Sequence, residues 1–235
     1  MKLEDFQHYF STARVNRYLL ATENSPKRAI KLYKANLRIT QSFHPLLGVF
    51  EVVLRNRIND ILTVHFSDPD WIINQKSGFM SDPSLSYIQK KTGQRKINDF
   101  LVSEVLKVEK RLRKNAIPIT SGKVIAEQNL GFWTDLFEVH HYKLLKGKPI
   151  KIFGSLPSGF GRKEVNDELE KIRCFRNRIN HNEPVCFANN NIDFSLAIDA
   201  YSSIINLLKW IDPILINFIN DLDRVCEIIE HAKKI

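Results

Sequence analysis

The chain has 235 residues, 43% of them hydrophobic and 26% charged, the balance of an ordinary soluble globular protein. Its formal net charge of +9 points to a polyanionic partner, nucleic acid before membrane, because no basic amphipathic anchor helix stands out. Cys174, Cys186 and Cys226 are far apart with no CxxC, and read as free thiols; the opening MKLEDFQHYF is broken by acidic and polar residues, and no apolar run approaches the roughly 18 residues of a membrane span. Neither a signal peptide nor a spanning helix is expected, and a cytoplasmic protein is.

Residues 3–20 carry a loose helical stripe of Phe6, Phe10, Ala13 and Tyr18. Ser25-Pro26 is a helix start, with serine as N-cap and proline at the first helical position. Ile30, Leu32, Tyr33, Leu37 and Ile39 carry that helix to His44-Pro45, where a break is expected. The next helix, over residues 45–65, has a broad apolar face of Leu46, Leu47, Phe50, Leu54, Ile58, Ile61 and Leu62. Asp68-Pro69 is a further cap signature before Trp71, Ile72 and Ile73. Residues 78–83, punctuated by Gly, Ser, Asp and Pro, are the best candidate for an internal boundary within a single domain spanning 1–235.

A long helix is expected over residues 84–115, with Ile88, Ile97, Phe100, Leu101, Val105, Val108 and Leu112 at helical spacing. Its other side is basic: Lys90, Lys91, Arg95, Lys96, Lys107, Lys110, Arg111, Arg113 and Lys114. Such a face is usually just solvated, but a phosphate backbone would find it attractive, so these are candidate RNA-binding residues. Residues 118–122 form a turn and 124–145 read as helix, with a kink near Gly131 and the aromatics Phe132, Trp133, Phe137 and Tyr142 in the core. His140 and His141 are adjacent, diverge, and make no metal pair. Residues 146–162, rich in Gly, Pro and Lys, are irregular; Gly159-Phe160-Gly161 has no following GK[ST] and is no phosphate loop. Helices follow over 163–181, 194–210 and, capped by Asp212-Pro213, to His231. No stretch alternates convincingly with period two, so the fold should be all-α, antiparallel helical bundles on two related halves.

The relation between the halves is a repeat. LRNRIND occupies residues 54–60 and FRNRINH residues 175–181, so an apolar residue followed by RNRIN occurs twice; the copies diverge at Asp60 and His181. At about 100° per residue, Arg176, Asn177, Asn180 and His181 fall within an arc of roughly 140°, opposite Ile172, Phe175 and Ile179. Pro184 ends the helix within a turn, which brings His181 to a helix C-terminus. A polar face of Arg, Asn and His is commonly only solvated, but a merely solvated face has no reason to reuse the same run.

The Arg-x4-His arrangement of Arg176 and His181, with Asn177 after the arginine, resembles the RNase motif of the HEPN superfamily. The wider chain resembles its Abi-like (AbiD/AbiF-type abortive infection) branch: an early Tyr-Leu helix, AIKLY from Ala29 followed by Asn36, Phe50-Glu51 leading into LRNRIN, LGFW from Leu130 with Leu136-Phe137, and RNRINHNEP from Arg176. The resemblance implies a HEPN-like fold and a toxin-like endoribonuclease of phage (antiviral) defence, without cofactor. It also implies a homodimer that joins two motif faces, and leaves room for a regulatory RNA or protein antitoxin.

Cleaving RNA without a metal needs a base for the 2′-OH proton, an acid for the leaving 5′-oxygen and positive charge on the transition state. His181 suits either proton transfer, Arg176 the charge, and Asn177 the positioning of imidazole or ribose. One histidine cannot conveniently make both transfers in one step. The second carrier comes either from a second copy of the Arg176/His181 face or from Arg55, Asn56 and Asp60 of the first repeat. In a different arrangement the first repeat is structural, with Arg55 paired to a carboxylate such as Glu51 one turn earlier. No HxxxH or carboxylate cluster suggests a metal site. The alternative function is a non-catalytic HEPN-type module that binds RNA or a protein partner and uses the RNRIN helices for packing.

Overall fold

The computed structural model describes residues 1–235, and the fold is all-α, with twelve α-helices and two small two-stranded sheets. It divides into two compact units: residues Met1–Phe50, Lys171–Lys209 and Pro213–Ile235 form the first, Glu51–Glu170 and Trp210–Asp212 the second. The borders at 50/51 and 170/171 fall inside helices. Residues 78–83 form no boundary: they lie within the second unit, where Phe79 and Met80 are buried.

The N-terminal helical stripe is two helices, α1 (Leu3–Phe10) and α2 (Thr12–Ala21), separated by Ser11 at φ 66°, whose hydroxyl accepts from Arg14 N. The helix begun at Pro26 does not stop at Pro45. It continues as α3 (Pro26–Phe66), 41 residues. Leu32, Ile39, Phe43, Leu46, Phe50, Leu54, Ile58 and Leu62 make one unbroken seam of fully buried side chains along it. An interior proline costs about 3 kcal/mol. Burying the four apolar side chains that flank it, at about 1.5–3 kcal/mol each, outweighs that. The carbonyl left unpaired is that of Gln41, an exposed position where water can take the place of the missing donor.

After α4 (Trp71–Asn74) and three short 3₁₀ turns, the expected long helix is replaced in its first half by a hairpin of β1 (Ser86–Ile88) and β2 (Arg95–Ile97). Gly93 at φ 66° turns the chain; Ile88 and Ile97, placed by helical spacing on the apolar side of a helix, are more than half exposed, and Tyr87 is half exposed. Only α5 (Phe100–Lys114) is helical. Residues 124–145 belong to three short helices, α6 (Ser121–Glu127), α7 (Leu130–Asp135) and α8 (Val139–Leu144). Extended backbone at Gln128 stops α6, and the Asn129 side chain accepts from Phe132 N to start α7.

Next come α9 (Arg162–Asn180), the paired strands β3 (Phe187–Ala188) and β4 (Asn191–Ile192), and α10 (Ser195–Ile211). The last segment is two helices, α11 (Ile214–Ile219) and α12 (Val225–Ala232), because Asp223 Oδ1 accepts from Val225 N and restarts the helix there.

The first unit packs Phe6, Phe10, Tyr18 and Tyr33 in edge-on and tilted pairs, with Phe187 against Tyr18 and Phe43 against Phe175 at a centroid distance of 4.5 Å. Cys186 is buried beside Tyr18, and burial pushes its thiol up to about 12; Cys174 and Cys226 are exposed. In the second unit Phe66 stacks on Phe79, buried Glu109 takes both Lys76 and Arg113, and buried His141 holds Asp135 at 2.8 Å.

Candidate functional site

The motif helix α9 starts where Glu164 reaches back to Gly161 N at 2.9 Å, and its own main-chain N–H, then that of Gly161, hold its carboxyl below the usual range. Val165, Leu169, Ile172 and Phe175 form its buried face. It stops before Pro184 takes effect. Asn182 adopts a left-handed conformation at φ 53°, its N–H bonds Ile179 O, and Glu183 N bonds Arg178 O, which is a Schellman closure. His181 is thus the C-cap residue, exposed, with its N–H on Asn177 O at 3.0 Å.

The closure is anchored from outside. Arg14 donates to Asn182 O at 2.9 Å, Arg178 to Pro184 O at 3.2 Å, and Asn36, buried in α3, accepts from Val185 N at 2.8 Å. Arg17 donates to Asn189 O and lies 4.6 Å from the Phe187 ring centroid. The segment that follows is partly core, because Val185, Cys186 and Phe187 are buried.

Arg176 is half-buried, while Asn177, Asn180 and His181 are exposed, so the polar arc of α9 lies where the spacing put it. The first repeat is used differently. Arg55 donates at 3.0 Å to Ala126 O, a last-turn carbonyl of α6, where the sequence had suggested the Glu51 carboxylate. Arg57 pairs with Asp60 at 3.1 Å, Asn59 accepts from Trp71 Nε1 at 2.9 Å, Ile58 is buried, and Asn56 is exposed. The positions matching Arg57 and Asp60 are Arg178 and His181, and Arg178 likewise serves the chain around it, with Glu183 at 3.6 Å. The two repeats lie in different units.

The basic face over 90–114 is not continuous. Lys90 and Lys91 sit in the hairpin turn, Arg95 and Lys96 on β2, and the rest on α5. Lys107, Arg111 and Arg113 are engaged by Glu104, Glu127 and Glu109, and Arg95 by the Ser86 hydroxyl; Lys110 and Lys114 are exposed.

Concave surface lies elsewhere. In the first unit, a cavity of about 320 Å³ is lined by Lys31, Lys34, Arg38 and His231 among others, and one of about 750 Å³ by Arg38, His44, Ile179, Asn182 and Arg224. None of these cations was singled out from sequence. Their signal was Lys31, Lys34 and Arg38 at i, i+3 and i+7. In the second unit, a cavity of about 400 Å³ brings Asp60 together with His65, Lys148 and Lys151. Partial burial, then Lys148 and Lys146, hold the His65 pKa below the ordinary histidine value.

No three His, Cys, Asp or Glu side chains gather as a metal would require, and no helix is long and apolar enough to cross a membrane. Comparison of the chain with protein-family models, with curated proteins and with solved structures finds no match in any of the three.

Proposed function

We propose that the protein is a metal-independent endoribonuclease of the HEPN type, an Abi-like enzyme acting on RNA in the cytoplasm in phage defence. The observation that carries this reading is the C-terminal turn of α9. Its buried side holds the core through Phe175, and Asn177 and His181 stand exposed one turn apart, with Arg176 on the same arc. His181 takes the 2′-OH proton or protonates the leaving 5′-oxygen, Arg176 stabilises charge on the phosphorane-like transition state, and Asn177 orients the ribose or the imidazole. An exposed C-cap histidine lies open to a second copy of the same face, and a homodimer supplies the second proton carrier.

One observation favours a second reading, a module that binds RNA or a protein without cleaving. Arg55, Arg57 and Arg178 of the repeated run hold main-chain oxygens and nearby carboxylates, so RNRIN also serves packing. Incubating RNA with the protein in excess EDTA separates the two. The nuclease yields 2′,3′-cyclic phosphate ends, and His181→Ala abolishes them without moving the melting temperature. Unchanged turnover in that variant, or no cyclic ends from the parent protein, overturns the catalytic reading.

A further inference from the structure

Two cavities of the first unit join along α3. The smaller lies between Lys31, Lys34 and Arg38 of α3 and Ile228, His231 and Ala232 of α12. The larger shares Arg38 and Ile228 with it and continues past His44 and Arg224 to Ile179 and Asn182, at the end of α9. With Arg38 and Ile228 in both linings, the cavities adjoin along α3 as two parts of a groove. Its α3 wall from Lys31 to His44 is roughly 20 Å long at the helical rise.

The groove has a consistent chemistry. Lys31, Lys34 and Arg38 form one stripe at i, i+3 and i+7, all exposed, on a different face of α3 from buried Leu32 and Ile39. No aspartate or glutamate lines either cavity, but Glu227 holds Arg224 at 2.5 Å as glutamates hold three of the α5 cations, and the terminal residue Ile235 lines the smaller cavity, so the cations in no ion pair are Lys31, Lys34 and Arg38. Between the walls the lining is apolar, with Ala35, Ile228 and Ala232. Tyr201 donates to Asp223 at 2.6 Å, which fixes the turn that carries Leu222 and Arg224. A row of cations beside an apolar floor and the His231 ring suits a single strand, whose phosphates meet the row while an unpaired base stacks on the imidazole. A duplex keeps its bases turned inward and has nothing to lay on that floor.

We infer that this groove binds single-stranded RNA, with phosphates on Lys31, Lys34 and Arg38, and leads the strand to the C-terminal turn of α9. The inference rests on the reading of RNA as substrate and adds the path by which the strand arrives. The α5 lysines lie outside it.

The test is fluorescence polarisation with a labelled oligouridylate, in EDTA and on a His181→Ala background, so that binding is read without cleavage. The triple variant Lys31→Ala/Lys34→Ala/Arg38→Ala should bind at least tenfold more weakly. Its plot of log affinity against log salt should flatten by about 2, since each phosphate contact on a single strand contributes about 0.7. Lys123→Ala, at an exposed lysine outside the groove, should bind like its parent. If the triple variant melts early, Arg38→Ala alone, at the junction of the cavities, should lower the slope by about 0.7. Unchanged affinity and slope overturn the inference, as does an oligoglutamate that displaces the probe as well as unlabelled oligouridylate, which would make the groove an acidic-peptide site. Cleavage is scored apart from binding: a groove that binds RNA in a chain whose His181→Ala variant still cleaves leaves the groove standing and removes the catalytic assignment.

Discussion

Replacing Asn36 by alanine tests how the motif helix is held. Asn36 is 5% exposed, and its Oδ1 accepts from Val185 N at 2.8 Å, three residues beyond the left-handed Asn182 that closes α9. Truncation leaves a buried main-chain donor without a partner, at a cost of about 1–3 kcal/mol. For a chain of this size that is a fall in melting temperature of about 2–12 °C, if unfolding is two-state. Exposed Asn56 provides the control, and its alanine variant should stay within about 0.5 kcal/mol of the parent. Urea denaturation gives the free energy, and amide exchange locates it: Val185 N–H should lose protection in Asn36→Ala ahead of the α3 core. Wild-type stability in that variant, or a Val185 amide still protected, would mean that water or another acceptor serves this donor and that the strut is not what holds the segment after His181.

Arg55→Ala should cost only about 1 kcal/mol, because it removes one bond to a carbonyl near solvent; a loss of 3 kcal/mol or more in denaturant titration would show that Arg55 neutralises a buried acid instead. His65, followed by NMR, should titrate below an ordinary histidine, and Lys148→Ala should raise its midpoint; a midpoint unmoved by that change would sink the electrostatic part of the account. The sign for stability follows from the depressed folded pKa. At mildly acid pH the unfolded chain takes up the proton more readily, so the contribution of neutral His65 is present above the ordinary histidine range and is lost as pH falls through it.

Local chemistry is legible along the chain: the absence of strand-period segments of any length, the start of α3 at Ser25-Pro26, the extent of α9 and the separation of its apolar and polar faces. Caps and helical periodicity act within a few residues, so they can be read from one chain. Features whose energies depend on what packs alongside emerge with the folded chain. Pro45 looks like a helix breaker until the buried seam of Ile39, Phe43, Leu46 and Phe50 is set against the one hydrogen bond it removes. Residues 86–97 carry apolar residues at helical spacing, but no core receives them there, and a left-handed Gly93 turns them into a hairpin. Arg55 sits one turn from Glu51 in sequence, yet it donates to the end of a helix 71 residues away. The basic groove is likewise absent from sequence, because its walls come from residues 31–45 and 222–235 and its end from residues 179–182. Concavity and the pairing of charges are properties of surfaces brought together, and a one-dimensional pattern records only which side chains are available to make them.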